Sequence, residues 1–170
     1  MLLSIFMLLI VVNLQAQVTS YFDESVDFST YKTYSFLGWQ RDSDSLLNDI
    51  DKESLQKAFK SEFDARNLKF VQSGGEMSVS LYIFVEIKGD SLIYHDFYKN
   101  NDIGPTTTTI RLDDYRVGTL IMDCYDIKES KLIFQGKNMK TIHEKPSKRE
   151  KAIPKAVAKL MRKFPVKPDK

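Results

Sequence analysis

Two histidines, one cysteine and several near-adjacent acids are the residues of this 170-residue chain whose types could carry chemistry. An imidazole titrates near neutral pH and can act as a general base or a metal ligand. His95 sits in the strand-like stretch 92–98, and His143 follows the run 131–142. The pair His143-Glu144 lacks the second histidine that a zinc-protease helix requires. Asp42 and Asp44 could approach a calcium ion, but the remaining ligands and the bidentate glutamate of a calcium loop are missing. Asp113 and Asp114 would point to opposite sides of a strand, so they could not flank one glycosidic bond. Asp123 and Asp126 read as an edge residue and a turn residue.

Cys124 cannot form an internal disulfide, and its neighbours Leu120, Ile121, Met122 and Tyr125 make it a small buried hydrophobe. No paired-cysteine motif, phosphate-binding glycine loop, dinucleotide fingerprint or Gly-x-Ser-x-Gly elbow is present. No cofactor and no metal is therefore expected. Trp39, following Phe36 and Leu37 at a strand end, is a candidate for partner contact and equally a candidate to close the core.

Residues 1–16 form an apolar run without charge, closing on Leu14-Gln15-Ala16. The apolar part is too short to cross a bilayer, which takes about 20 residues, but it suits a secretory signal peptide, although no positive charge precedes it. The expected product is a single domain over residues 17–170 that works in the periplasm or is secreted. Export without disulfides fits a bacterial periplasm. With no cysteine near residue 16 to acylate, the protein is expected to be soluble after cleavage and not lipid-anchored.

A net charge of +2 hides an uneven distribution: residues 137–170 hold twelve Lys and Arg against three acids. In an exported protein such a basic end would meet lipid headgroups or polysaccharide, not nucleic acid.

The elements follow from periodicity. Strands are expected over 18–23 and 31–36, with a turn at Asp27-Phe28-Ser29-Thr30 and a loop over 38–44. Leu47, Ile50, Leu55, Ala58, Phe59 and Phe63 place one apolar stripe on a helix over about 46–67, with Asn67 as its left-handed end. Met77, Val79, Leu81, Ile83, Val85 and Ile87 alternate as a strand facing the core. A tight turn at Gly89-Asp90 would pair that strand with 92–98.

Residues 99–114, with four consecutive threonines, read as a long mobile loop. A hairpin is expected from 115–126 and 131–142. A second helix over about 147–164 has Ala152, Ile153, Val157, Leu160 and Phe164 on one side and Lys151, Lys155, Lys159 and Arg162 on the other. Ser147 to Glu150 has capping-box form, and Pro154 should kink the helix or begin its regular part. The fold class is α+β, a mainly antiparallel sheet with both helices packed on one face.

The order of these pieces resembles the domain-of-unknown-function family 4136. The resemblance rests on Val18 to Asp23 followed by Asp27 to Phe36, then Gly118-Thr119-Leu120-Ile121-Met122-Asp123, Lys131 to Gly136, and the helix ending at Phe164-Pro165. It implies an envelope protein of Gram-negative bacteria with an α+β sandwich, and it supplies no catalytic residues. Two functional expectations follow. One is a non-catalytic envelope module binding another protein, a lipid or a glycan, with Trp39, Lys151, Lys155, Lys159 and Arg162 as contact candidates and an anionic membrane surface as a peripheral partner. The alternative is a hydrolase of unrecognised type using His95 or His143, which requires a carboxylate and a hydroxyl beside one of those rings.

Overall fold

Alternating apolar residues on strands and apolar stripes on two helices are buried together when the helices lie on one face of a sheet, and the computed structural model takes that form. It describes residues 18–39, 47–89, 91–99, 102–111 and 115–169, with the side chains of 90–114 not described. The expected signal peptide, Asp42, Asp44, Asp113, Asp114 and the His95 side chain lie outside the described residues.

The elements are β1 (Val18–Phe22), β2 (Thr33–Trp39), α1 (Asp49–Asp64), β3 (Lys69–Phe70), β4 (Met77–Lys88), β5 (Ser91–Lys99), β6 (Asp102–Arg111), β7 (Tyr115–Asp126), β8 (Lys131–Thr141) and α2 (Pro146–Met161). Six strands form one sheet in the order β1-β8-β7-β4-β2-β3, and β5 pairs with β6 alone. The joins β1–β8, β8–β7 and β7–β4 are antiparallel, whereas β2 is parallel to both β4 and β3. The sheet is thus mostly antiparallel.

The parallel join follows from α1. Chain leaving β2 through a helix returns in the same direction, so β4 lies beside β2 as a crossover and not as a hairpin. Gly75 sits where that return passes β2: a Cβ there would lie 2.7 Å from Ser35 N and Tyr34 C. Glu76 then clasps the start of β2, its Oε2 accepting from the backbone N–H of Lys32 at 2.6 Å and of Thr33 at 3.0 Å.

Between sheet and helices the core holds Tyr34, Leu55, Phe59, Phe63, Leu81, Met122, Phe134, Val157, Leu160 and Phe164. Phe164, just beyond α2, meets the rings of Phe28, Phe63 and Phe134 at centroid separations of 5.7, 5.7 and 5.1 Å. Burying a ring of this size contributes about 2 to 3 kcal/mol. Arg66 secures the same end, donating from Nε to Val166 O at 2.9 Å and from Nη2 to Met161 O at 3.0 Å. Cys124 is fully buried in this core, and its burial pushes the thiol well above its ordinary range.

Several expectations are corrected. Residues 102–111 form a strand and not a loop, in keeping with the β-branched threonine run, and β5 pairs with β6 while β4 pairs along its whole length with β7. Ile50 is 69 % exposed and Asp51 takes its place on the inner stripe, because positions 51, 55, 59 and 63 follow the four-residue spacing more closely. The N-cap of α2 is Lys145 with Pro146 in the first turn, so the Ser147 box is not formed. Pro154 is accommodated inside α2 at an exposed position. Asn67 has φ of 60°, the left-handed helix end its sequence position requires.

Candidate functional site

The register of the three central strands sets out a floor. On the face toward the helices, Val79, Cys124 and Phe134 stand in one row across β4, β7 and β8, and Leu81, Met122 and Gly136 in the next. The helices cover both rows. Three further rows continue beyond them at intervals of about 7 Å: Ile83, Leu120 and Asn138, then Val85, Gly118 and Lys140, then Ile87 and Arg116 beside Ile142. Here the cover opens. Leu81 is 2 % exposed, Leu120 6 % and Ile87 67 %.

The result is a cleft of about 630 Å³, floored by these rows and roofed by the first turns of the two helices. Leu47, Asn48, Asp51 and Leu55 come from α1 and the residue run before it, and Arg149, Ala152, Ile153 and Ala156 from α2. Gly118 occupies the centre of the floor. A Cβ added to it would meet Ile142 Cδ1 at 2.8 Å, so the missing side chain lets Ile142 lean over the strand.

Polar groups are fixed at defined places around this apolar surface. Asn48 Oδ1 caps α1 by accepting from Asp51 N at 2.8 Å, and its Nδ2 donates to Asp51 Oδ2 at 3.0 Å. Arg149 Nε donates to the same oxygen at 2.9 Å. Its Nη1 donates to the carbonyls of Glu144 at 2.6 Å and His143 at 3.2 Å, so Nε and Nη1 are both engaged within the roof. Asn138 Nδ2 donates to Ala156 O at 2.8 Å. Because that carbonyl only accepts, the sense of the amide is settled, and Oδ1 is left buried without a partner among the described residues. Arg116 and Lys140 are exposed and form no ion pair among the described residues.

His143 lies at the rim with an exposed side chain, and no described carboxylate or hydroxyl is hydrogen-bonded to its ring. Trp39 ends β2 beyond a bulge at Gly38, whose φ is 93°; it is partly buried against the core, with Nε1 lacking a hydrogen-bond partner among the described residues. It does not line the cleft. Lys151, Lys155, Lys159 and Arg162 follow one side of α2 and its end, away from the cleft-lining residues 149, 152, 153 and 156.

Asp123 is not an edge residue. It is buried on the opposite sheet face, where burial raises its pKa above the ordinary 3.8 despite a 2.9 Å bond accepted from Gln135 Nε2. Asp126 is the expected turn acid, accepting from Tyr31 Oη at 2.5 Å and Glu129 N at 2.6 Å. Among the described residues no cluster of three or more His, Cys, Asp or Glu could hold a metal ion, and no helix is long and apolar enough to cross a membrane.

Arg116, Asn138 and Lys140 were not singled out by sequence reading. The alternation of Ile83, Val85 and Ile87 was visible, but the residues beside it are fixed by strand pairing.

A family profile described as a domain of unknown function, DUF4136, matches residues 18–166. No curated protein matches the sequence. Among solved structures, a PDZ domain protein from Parabacteroides distasonis superposes with a TM-score of 0.57 at 10 % identity, over 89 % of this chain and 36 % of that one. The chain thus spans about a third of that protein's length. The PelC dodecamer subunit from Paraburkholderia phytofirmans gives a TM-score of 0.48 at 7 % identity, over 86 % of this chain and 94 % of that one.

Proposed function

The chain belongs to the DUF4136 family, a domain of unknown function, and from that premise we propose that it is an exported envelope protein that acts by binding, holding a small amphipathic molecule in the cleft between the helices and the upper sheet. The carrying observation is the floor itself. Val85 and Ile87 continue the same apolar face that is sealed at Leu81, yet they stay open under a roof of fixed polar groups. Sheet rows left uncovered at one end of a core cost burial that a ligand can restore. The volume of about 630 Å³ suits a small-molecule site. Export is supported by the apolar segment 1–16.

The test uses an uncharged environment-sensitive dye, N-phenyl-1-naphthylamine, with the purified protein. Its fluorescence should rise on binding and fall back when Val85→Trp fills the floor or Ile87→Lys charges it, with circular dichroism confirming that the variants are folded. No enhancement, or enhancement indifferent to both substitutions, would overturn the reading.

The outer side of α2 supports a separate contact. Lys151, Lys155 and Arg162 are exposed there and Lys159 partly so, a basic stripe suited to an anionic membrane surface.

A further inference from the structure

We propose that the occupant of the cleft is a free single-chain amphiphile with an anionic head, its chain laid along the floor and its head held by Arg116 and Lys140. This rests on the binding reading above and specifies its ligand. Three rows at intervals of about 7 Å give a floor about 14 Å long, close to the extended length of a dodecyl chain. The inner end is closed by core, since the row beyond Ile83, Leu120 and Asn138 is sealed by Leu81 at 2 % and Met122 at 0 % exposure. The chain end therefore points inward, and the head stays at the mouth.

The charges at the mouth decide the sign of that head. Arg116 stands in the outermost row and Lys140 in the middle one, both exposed and without an ion pair among the described residues. Asp51, the acid nearest the roof, is already matched by Arg149. Glu144 is the remaining acid lining the cleft, exposed at the rim beside His143. Among the described residues, two cations without an ion pair against one acid favour a carboxylate, sulfate or phosphate head over a neutral or cationic one. A cleft of about 630 Å³ holds one chain and its head; a two-chain lipid would not be enclosed.

Isothermal titration of the purified protein at low salt with three dodecyl probes, all below their aggregation concentrations, tests this. Dodecanoate should bind roughly three- to ten-fold more tightly than dodecanol, the gain expected from exposed charge contacts, and dodecyltrimethylammonium should bind weakest. In the Arg116→Gln, Lys140→Gln double variant the ratio of dodecanoate to dodecanol affinity should fall to near one. Equal affinity for the three heads, a preference that survives the double substitution, or binding seen only with phosphatidylglycerol vesicles would overturn the proposal. The two readings fail separately. If the uncharged dye binds but the heads are not distinguished, the head assignment falls alone; if neither dye nor dodecyl probes bind, the binding reading falls with it.

Discussion

Arg149 Nε lies 2.9 Å from Asp51 Oδ2, joining the first turn of α2 to the first turn of α1 across 98 residues of sequence. Asp51 stands where the positive end of the α1 dipole favours a carboxylate, and Asn48 holds the same oxygen at 3.0 Å. This join is the span of the cleft roof. It sets how far apart the two helices stand at the end where the floor is uncovered.

Removing that guanidinium should loosen the roof. Arg149→Ala loses three donated bonds and leaves Asp51, whose side chain is 12 % exposed, without its cation. A loss of about 2 kcal/mol in urea unfolding is expected. A double-mutant cycle with Asp51→Asn should show coupling, and additive effects would show that the pair does not join the helices energetically.

Two glycines should respond differently to one methyl group. At Gly75 the added Cβ meets backbone of Tyr34 and Ser35, which cannot turn aside, so Gly75→Ala is expected to cost about 3 kcal/mol. At Gly118 it meets the far end of the Ile142 side chain, and Gly118→Ala should cost about 1 kcal/mol. Thermal melts of the two variants check the ranking.

Acid should weaken the fold through its clasps. The backbone N–H groups of Lys32 and then Thr33 hold the Glu76 carboxyl below its ordinary 4.5, and the Tyr31 hydroxyl, followed by the Glu129 N–H, does the same for Asp126. A carboxyl depressed in the folded state contributes stability that is present above its unfolded pKa and is lost as pH falls through the folded one. Unfolding free energy should therefore drop as pH falls below 4.5. In Glu76→Gln the value at neutral pH should be lower and the acid loss shallower.

Asp123 runs the other way. Burial raises its folded pKa, so its ionised form disfavours folding at neutral pH and protonation relieves the penalty. Asp123→Asn keeps an oxygen for Gln135 and should raise the melting temperature at pH 7. That gain should shrink as pH falls through the raised value, and a destabilised variant at pH 7 would contradict the assignment.

The outer stripe of α2 makes a prediction about surfaces. Sedimentation with anionic vesicles should be measurable at low salt, weaken as salt rises over the range where the Debye length falls from about 30 to 8 Å, and decline in Lys151→Glu, Lys155→Glu. Salt-independent sedimentation would point away from this stripe.

Elements whose cause is local could be read from the residue pattern. The alternation from Met77 placed a strand on β4, and the spacing of Leu55, Phe59 and Phe63 placed a helix on α1, because a side chain's direction follows from the dihedrals of its own segment. Asn67 was readable as a helix end, and Cys124 as core, for the same reason. The hairpin of β7 and β8 was readable too, since its strands meet across a short turn.

Which strands lie together followed from long-range packing. The parallel return of β4 beside β2, the pairing of β4 with β7 and the separate hairpin of β5 with β6 depend on contacts far apart along the chain. The cleft shares that origin. Ile83 stands in line with Leu120 and Asn138, and Ile87 with Arg116, only after register is chosen, and Asp51 meets Arg149 only after both helices dock. A one-residue slip would send every one of these side chains to the other face. Local patterns could show that the upper end of β4 was apolar. Docking left it uncovered, and strand register set Arg116 and Lys140 along it.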